Sequence, residues 1–337
     1  MTKYSRSTLS RTFTFAVVAA TSAASLAACG GKAPTNAASD SGLSVGLFVA
    51  NSFGDHSYYD AAKGAIPALE NTYDATVTTY EGKLETQNYG PLLQDAADRN
   101  ELVYVVGNQA IDATIEAAAQ NPDTTFVFVN GVARSKDVVS VTYRYAESCY
   151  VGGTLAAHLS QEAGKDTIGW IGGFEAPPMA DCEAGYGQGA TDVDPDLKLV
   201  SRYVGSFSDP AKGLETATAE AQDGAYVIYA SAGLSSQGVV QAAMSGTAIA
   251  PILAASPKVP PVSPAVVNDH TDVLILDAAE RFSAGELPKG EVKTFGFKEG
   301  AFDIQFNDKL VDAAMQAEIT KVIESIKAGS VKPQGAS

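Results

Sequence analysis

The chain has 337 residues, 45% hydrophobic and 18% charged, enough to bury one or two full cores and too apolar for a disordered polymer. With 23 basic against 39 acidic residues its net charge is −16, which repels phosphate backbones and excludes a nucleic-acid polymer as partner. Its 31 glycines and 15 prolines follow no collagen-like or low-complexity period, as many short turns between regular elements would give.

Lys3, Arg6 and Arg11 form a positive leader, and Phe13 to Ala24 is an apolar run too short and too alanine-rich to span about 30 Å of hydrocarbon. Leu26-Ala27-Ala28-Cys29-Gly30 then has the order of a bacterial lipobox, in which cleavage exposes a cysteine that receives lipid. The expectation is a signal peptide over 1–28, then lipidated Cys29 and a flexible tether over 29–42, whose polar GGKAPTNAASDSG has no apolar period. Residues 1–28 hold three basic and no acidic residue, so the chain without them is more acidic still. Such a body is expected on the extracytoplasmic face of the cell membrane, held by acyl chains rather than by charge. That compartment permits a disulfide between Cys149 and Cys182; two buried thiols are the simpler expectation.

From residue 43 short β-branched runs alternate with helical patterns. Strands are expected at 43–49, 75–80, 102–106 and 125–130, with helices near 59–72, 87–99 and 109–120. A second series places strands at 138–143, 167–173, 198–205 and 225–231, with helices at 147–162, 178–190, 211–222 and 235–244. The Pro-rich KVPPVSP (258–264) reads as a return between domains, followed by AVV (265–267), a helix near 271–285, EVKTFGF (291–297) and an amphipathic helix from 307 to 328. Strands apolar nearly throughout suit parallel sheets covered by helices on both faces, whose ligands sit beyond the carboxyl ends of strands. The expected division is one lobe from 43–133 plus 266–288 and a second from 137–258 plus 290–328.

No G-x-x-x-x-G-K-[ST] occurs, so nucleotide hydrolysis loses its marker, and Gly233-Leu-Ser235-Ser236-Gln237 lacks the second glycine of G-x-S-x-G. Gly185-Tyr-Gly187-Gln-Gly189 lies inside a helical pattern, where close helix packing explains it better than a dinucleotide loop. His56, His158 and His270 have no partner at metal-ligand spacing, and Asp55 with Asp60 reads as anionic complement to a helix start. No catalytic group, metal or cofactor is expected, and the chain is not expected to be an enzyme.

Several ordered segments resemble the basic membrane protein family, the PnrA-like substrate-binding lipoproteins of ABC importers. VGLFV and GDHSYYDAAKG (45–64) resemble its first strand and D-K-S-F-N helix opening, FVFVNG (126–131) its F-x-I-I-D-G, and AESCYVGGTLAAHLS (146–160) its E-x-S-F-L-A-G-x-L-A-A. IGWIGGFEAPPMADCEAGYGQGA (168–190), YVGSFSDPAKGLETA (203–217) and DGAYVIYASAGLSSQGVVQAA (223–243) continue the match. The resemblance implies an α/β type I periplasmic-binding fold: two doubly wound parallel-sheet lobes joined by a multi-strand hinge, closing on a small planar solute such as a purine nucleoside.

It also implies site residues. Tyr58 and Phe207 stand where the family stacks the base; Asn130 takes the place of a ribose-binding aspartate, Tyr59 of an asparagine, and Ala50 or Asn51 of an aspartate after the first strand. Asp55 lies in the helix opening and Gly233 matches the family glycine in A-x-A-G. The family lysine falls at Asn268 or Asp269, and its G-V-D-x-D segment reads ILAASP (252–257), so charged acceptors have become neutral amides or disappeared. Either the solute is another planar or apolar molecule, or other residues supply the polarity. Implied partners are the solute, an ABC permease with its ATPase, and the membrane through the lipid anchor, with the protein a monomer; the alternative is a ligand-sensing surface lipoprotein that reports to a membrane signalling partner.

Overall fold

The computed structural model describes residues 42–54 and 58–335; the expected signal segment, Cys29, the tether up to Ser41 and Asp55 lie outside the described residues. In chain order the first elements are β1 (Ser44–Val49), α1 (Tyr58–Lys63), α2 (Ile66–Tyr73), β2 (Thr76–Glu81), α3 (Thr86–Arg99), β3 (Leu102–Val106), α4 (Ile111–Gln120), β4 (Thr125–Val129) and β5 (Val138–Tyr143). Then come α5 (Tyr145–Glu162), β6 (Thr167–Gly172), α6 (Pro177–Thr191), β7 (Lys198–Tyr203), α7 (Pro210–Gln222), β8 (Val227–Ser231), α8 (Ser236–Met244), β9 (Ala250–Ala254) and β10 (Ala265–Asp269). The last are α9 (Thr271–Ser283), β11 (Val292–Phe295), β12 (Phe302–Phe306) and α10 (Ala313–Lys327). Among the described residues no helix is long and apolar enough to cross a membrane.

Two six-stranded sheets result, ordered β11-β5-β4-β3-β1-β2 and β12-β10-β9-β8-β6-β7, parallel throughout except for the antiparallel pair β10–β12. Their central strands β3, β4, β6 and β8 are buried at every residue, because helices cover both faces. Along β1 the pleat sends Val45, Leu47 and Val49 into one apolar cluster and Phe48 into another. The first of these clusters continues through Ile168 and Trp170 of β6, so one core runs from sheet to sheet.

The helices α5 and α6 touch backbone to backbone: a Cβ on Gly153 would lie 2.0 Å from the Tyr186 carbonyl oxygen, and one on Gly189 2.1 Å from that of Tyr150. The glycine run in α6 is thus the close-packing device its helical pattern implies. A disulfide joins the same two helices, with Cys149 and Cys182 Cα atoms 5.1 Å apart, so the expectation of two free thiols is corrected. The glycine contacts bring the helix axes near enough for the two Cβ atoms to be bridged.

Three segments cross between the sheets. Arg144 joins β5 to α5, His270 joins β10 to α9, and Gly296–Ala301 joins β11 to β12. They are stitched together: the Arg144 amide donates to the Phe295 carbonyl at 2.7 Å, its guanidinium pairs with Glu147 and Glu299, and the His270 amide donates to the Ala301 carbonyl at 2.9 Å.

The strand memberships revise the expected division. β5, expected with 137–258, and β11, expected with 290–328, both lie in the first sheet, while β10, expected with 266–288, lies in the second. Of that last segment α9 does belong with the first sheet, where Tyr104 and Tyr143 donate to the Ile275 carbonyl at 2.8 Å and to Thr271 Oγ1 at 3.0 Å. The Pro-rich segment makes no crossing: it links β9 to β10, which pair in parallel in one sheet. β12 was not expected, and the final helix begins at Ala313 rather than 307, where Asp312 caps it by accepting from the Met315 amide at 2.8 Å. The single helix expected over 59–72 is two, α1 and α2, broken at Gly64–Ala65 before Pro67.

Candidate functional site

In a parallel sheet the carboxyl ends of the strands share one edge, and their loops are where a solute can be held without breaking the ladder. The backbone there is unusual. Asn130 after β4, Ala255 after β9 and Gly107, Gly205 and Gly233 after β3, β7 and β8 all take positive φ, turning the chain sharply out of each strand.

The carboxyl ends of the two sheets meet at one point. The Tyr145 hydroxyl, at the start of α5, lies 3.2 Å from Asn130 Oδ1 at the end of β4 and 3.4 Å from Asp269 Oδ2 at the end of β10. Asn130 also bonds the Tyr58 hydroxyl, as does the Gly107 amide, and that hydroxyl lies 3.4 Å from the Val129 carbonyl. Burial raises the Tyr58, Tyr143, Tyr145 and Tyr229 hydroxyls above the ordinary tyrosine range, so all four are neutral donors. Burial likewise pushes the Asp269 carboxyl up to about 7, against the opposing pull of the Tyr145 hydroxyl and His270.

A second cluster lies on the edge of the second sheet. Phe207, after β7, and Phe174, after β6, meet edge to face at 5.7 Å, and both rings are largely exposed, at 43% and 51%. The backbone makes room for them. A Cβ on Gly173 would fall 2.2 Å from the Phe207 ring, and one on Gly233 2.9 Å from the Phe207 carbonyl oxygen. Beside them a cavity of about 160 Å³ is lined by Gly233, Gln237, Ala255, Pro257 and Pro260. A larger hollow of about 430 Å³ lies under the outer face of α6 against Leu197 and Leu199 and takes no strand-end residue.

The structure therefore groups Tyr58 and Asn130 in one cluster and Phe207 and Gly233 in the other. Tyr59 is buried against Tyr58, with ring centroids 5.0 Å apart. Asn51 lies half-buried after β1, its carbonyl accepting from the Lys83 amide at 3.0 Å. Asn268 points away from the tyrosine cluster, donating its amide to Asp303 Oδ1 on β12 at 2.9 Å. Sequence reasoning did not place Tyr145 and Phe174 in the site, and it offered Asp269 only as the alternative to Asn268 for the family lysine. All three sit in strand-end or crossing segments, and that position was the signal available for them.

Two sheets whose carboxyl edges meet across a three-segment crossing, with polar and aromatic clusters at those edges, have the two-lobed architecture of solute-binding proteins. The pattern of the Bmp family, described as ABC transporter substrate-binding protein PnrA-like, matches residues 43–334, and the chain belongs to that family. Among its relatives, the ABC transporter nucleoside-binding protein BmpA of Lactococcus lactis subsp. cremoris is 27% identical over 302 residues, 82% of this chain and 85% of that protein. A lipoprotein of Pyrococcus abyssi is 28% identical over 319 residues, 85% of this chain and 78% of that one. An ABC transporter solute-binding protein from Aeropyrum pernix K1 superposes with a TM-score of 0.73 at 20% identity, covering 86% of this chain and 92% of the other, which establishes the periplasmic-binding type of fold.

Proposed function

We propose that this substrate-binding protein is a lipid-anchored extracytoplasmic receptor that closes on a small planar solute and hands it to an ABC permease driven by its ATPase. The solute enters between the two strand-end clusters, stacking on Phe207 from one lobe and meeting Tyr58 and Asn130 from the other. Support for the anchor comes from the Leu26–Cys29 lipobox and the lipoprotein relative; support for a nucleoside comes from the nucleoside-binding relative. The observation that carries the reading is the exposed Phe174–Phe207 pair on a strand-end edge, because an aromatic face left open there gains only by covering a π-face. Base stacking on such a ring contributes about 1–3 kcal/mol. No group in the site requires bond-making chemistry: the work is differential binding, in which a solute touching both lobes stabilises the closed arrangement over the open one.

The test is thermal unfolding with purine nucleosides. A solute at about 100 times its Kd stabilises the folded chain by about 2.7 kcal/mol. We expect an upward shift with at least one nucleoside, lost in Phe207→Ala while the solute-free melt stays nearly unchanged. A bound solute whose shift survives Phe207→Ala would remove the stacking assignment.

A further inference from the structure

We propose that Asp269 selects the solute, accepting hydrogen bonds from a donor-bearing, non-anionic group of the ligand at the point where the two lobes meet. The inference rests on the receptor reading above and adds to it the residue and the chemistry that set specificity.

The argument is a count of donors and acceptors. Tyr145 has one hydroxyl proton to share between Asn130 Oδ1 at 3.2 Å and Asp269 Oδ2 at 3.4 Å. The Asn130 amide group is engaged by Tyr58, whose own proton is directed to the Val129 carbonyl at 3.4 Å. His270, the next residue, turns its Nε2 to Asp303 Oδ2 at 3.0 Å, while Asn268 turns to Asp303 Oδ1, so both neighbours serve Asp303. Among the described residues Asp269 is left as a half-buried carboxylate with one long hydrogen bond, in a group where acceptors outnumber protons. Buried polar groups are ordinarily satisfied, and a half-satisfied acid at a strand end, beside the crossing on which closure turns, is complementary to hydroxyl or N–H donors. It is hostile to a phosphate.

The polarity that Asn130 and Asn268 fail to supply as charge is thus held one residue further along the crossing. The titratable groups facing Asp269 are Tyr58 from α1, Tyr143 from β5, Tyr145 from α5, Tyr229 from β8 and His270 beside it. The tyrosines stay neutral, and loss of the pH response in Asp269→Asn is what assigns it to the acid. With its carboxyl near 7 in the free protein and lower once a donor engages it, affinity should fall about tenfold per pH unit below that value.

The experiment is calorimetric titration of wild type and Asp269→Asn with guanosine, inosine, 2′,3′-dideoxyguanosine and guanosine 5′-monophosphate, between pH 5.5 and 8. Solute-free melts of both proteins accompany it. We expect at least one unphosphorylated nucleoside to bind wild type, the monophosphate to bind at least tenfold more weakly, and Asp269→Asn to lose at least tenfold together with the pH dependence. Inosine distinguishes a base amine as the donor, and the dideoxy sugar distinguishes the ribose diol. Equal binding to both proteins, or equal binding of the monophosphate, overturns the assignment while leaving the nucleoside reading intact. If no nucleoside binds wild type, the nucleoside reading falls and the melts still decide: at pH 8 Asp269→Asn should melt as high as wild type or higher, since the acid is kept for a ligand. A drop of more than about 5 °C would make it a structural residue and overturn the inference.

Discussion

Glu220 on α7 is fully buried, and neither carboxylate oxygen has a hydrogen-bond partner among the described residues. It lies over Gly169 of β6, where a Cβ would come 2.2 Å from its Oε2. Burial raises it from 4.5 to about 9, with Arg202 opposing and Asp223 and Glu183 adding to the rise. A carboxyl raised in the folded state holds its proton there while the unfolded chain releases it, so stability is undiminished below about 4.5 and falls as pH rises toward 9. Glu220→Gln should therefore melt with wild type at pH 4 and several degrees above it at pH 8, which a series of thermal melts reads directly. Equal melting at both pH values would place the carboxylate in contact with water or a cation. Asp269 has the same sign over a narrower window, and the difference between the two acids is position: Glu220 lies within a lobe, Asp269 at the junction of two.

At the scale of elements, the pair α5–α6 is held by glycine contacts and by Cys149–Cys182, both cysteines being fully buried. Opening that disulfide, by reduction or by Cys149→Ala with Cys182→Ala, should lower stability by about 2–4 kcal/mol in denaturant unfolding. An unchanged midpoint would mean that the glycine interface alone holds the helices. Gly153→Ala should also destabilise, because its Cβ has 2.0 Å to the Tyr186 oxygen and backbone must move. The glycine run of α6 was readable from its helical period, whereas the disulfide was not, since two cysteines 33 residues apart carry no distance until two helices are docked. Strands β1 to β8 were legible because β-branched runs alternate with helical periods. β12 was missed because FDIQF pairs antiparallel with β10 across a crossing that local pattern cannot reveal. The same limit misplaced β5, β10 and β11, whose sheet is chosen by long-range pairing. Of the proposed solute contacts, Phe207, Tyr58 and Asn130 come from resemblance to a family; the same resemblance left Asn268 and Asp269 as alternatives, and only the paired strands show that Asn268 turns to Asp303.

At the scale of the molecule, three crossing segments join two sheets, and the Arg144 pairs with Glu147 and Glu299 tie the first crossing to the third. The proposed closure about this junction would bring the Phe174–Phe207 face toward Tyr58 and Asn130, so scattering in solution should report a smaller radius of gyration with solute than without. Arg144→Ala should loosen the crossing and weaken solute binding by altering the open-to-closed balance, with Phe207 untouched. The central claim, that a planar solute is gripped between the strand-end clusters, is tested most directly by a crystal structure of the protein grown with a bound nucleoside. The account predicts the ring stacked on Phe207 at van der Waals distance, with a solute hydroxyl or N–H about 3 Å from an Asp269 oxygen. Solute lodged in the hollow beneath α6, or between the lobes without touching either residue, would contradict it.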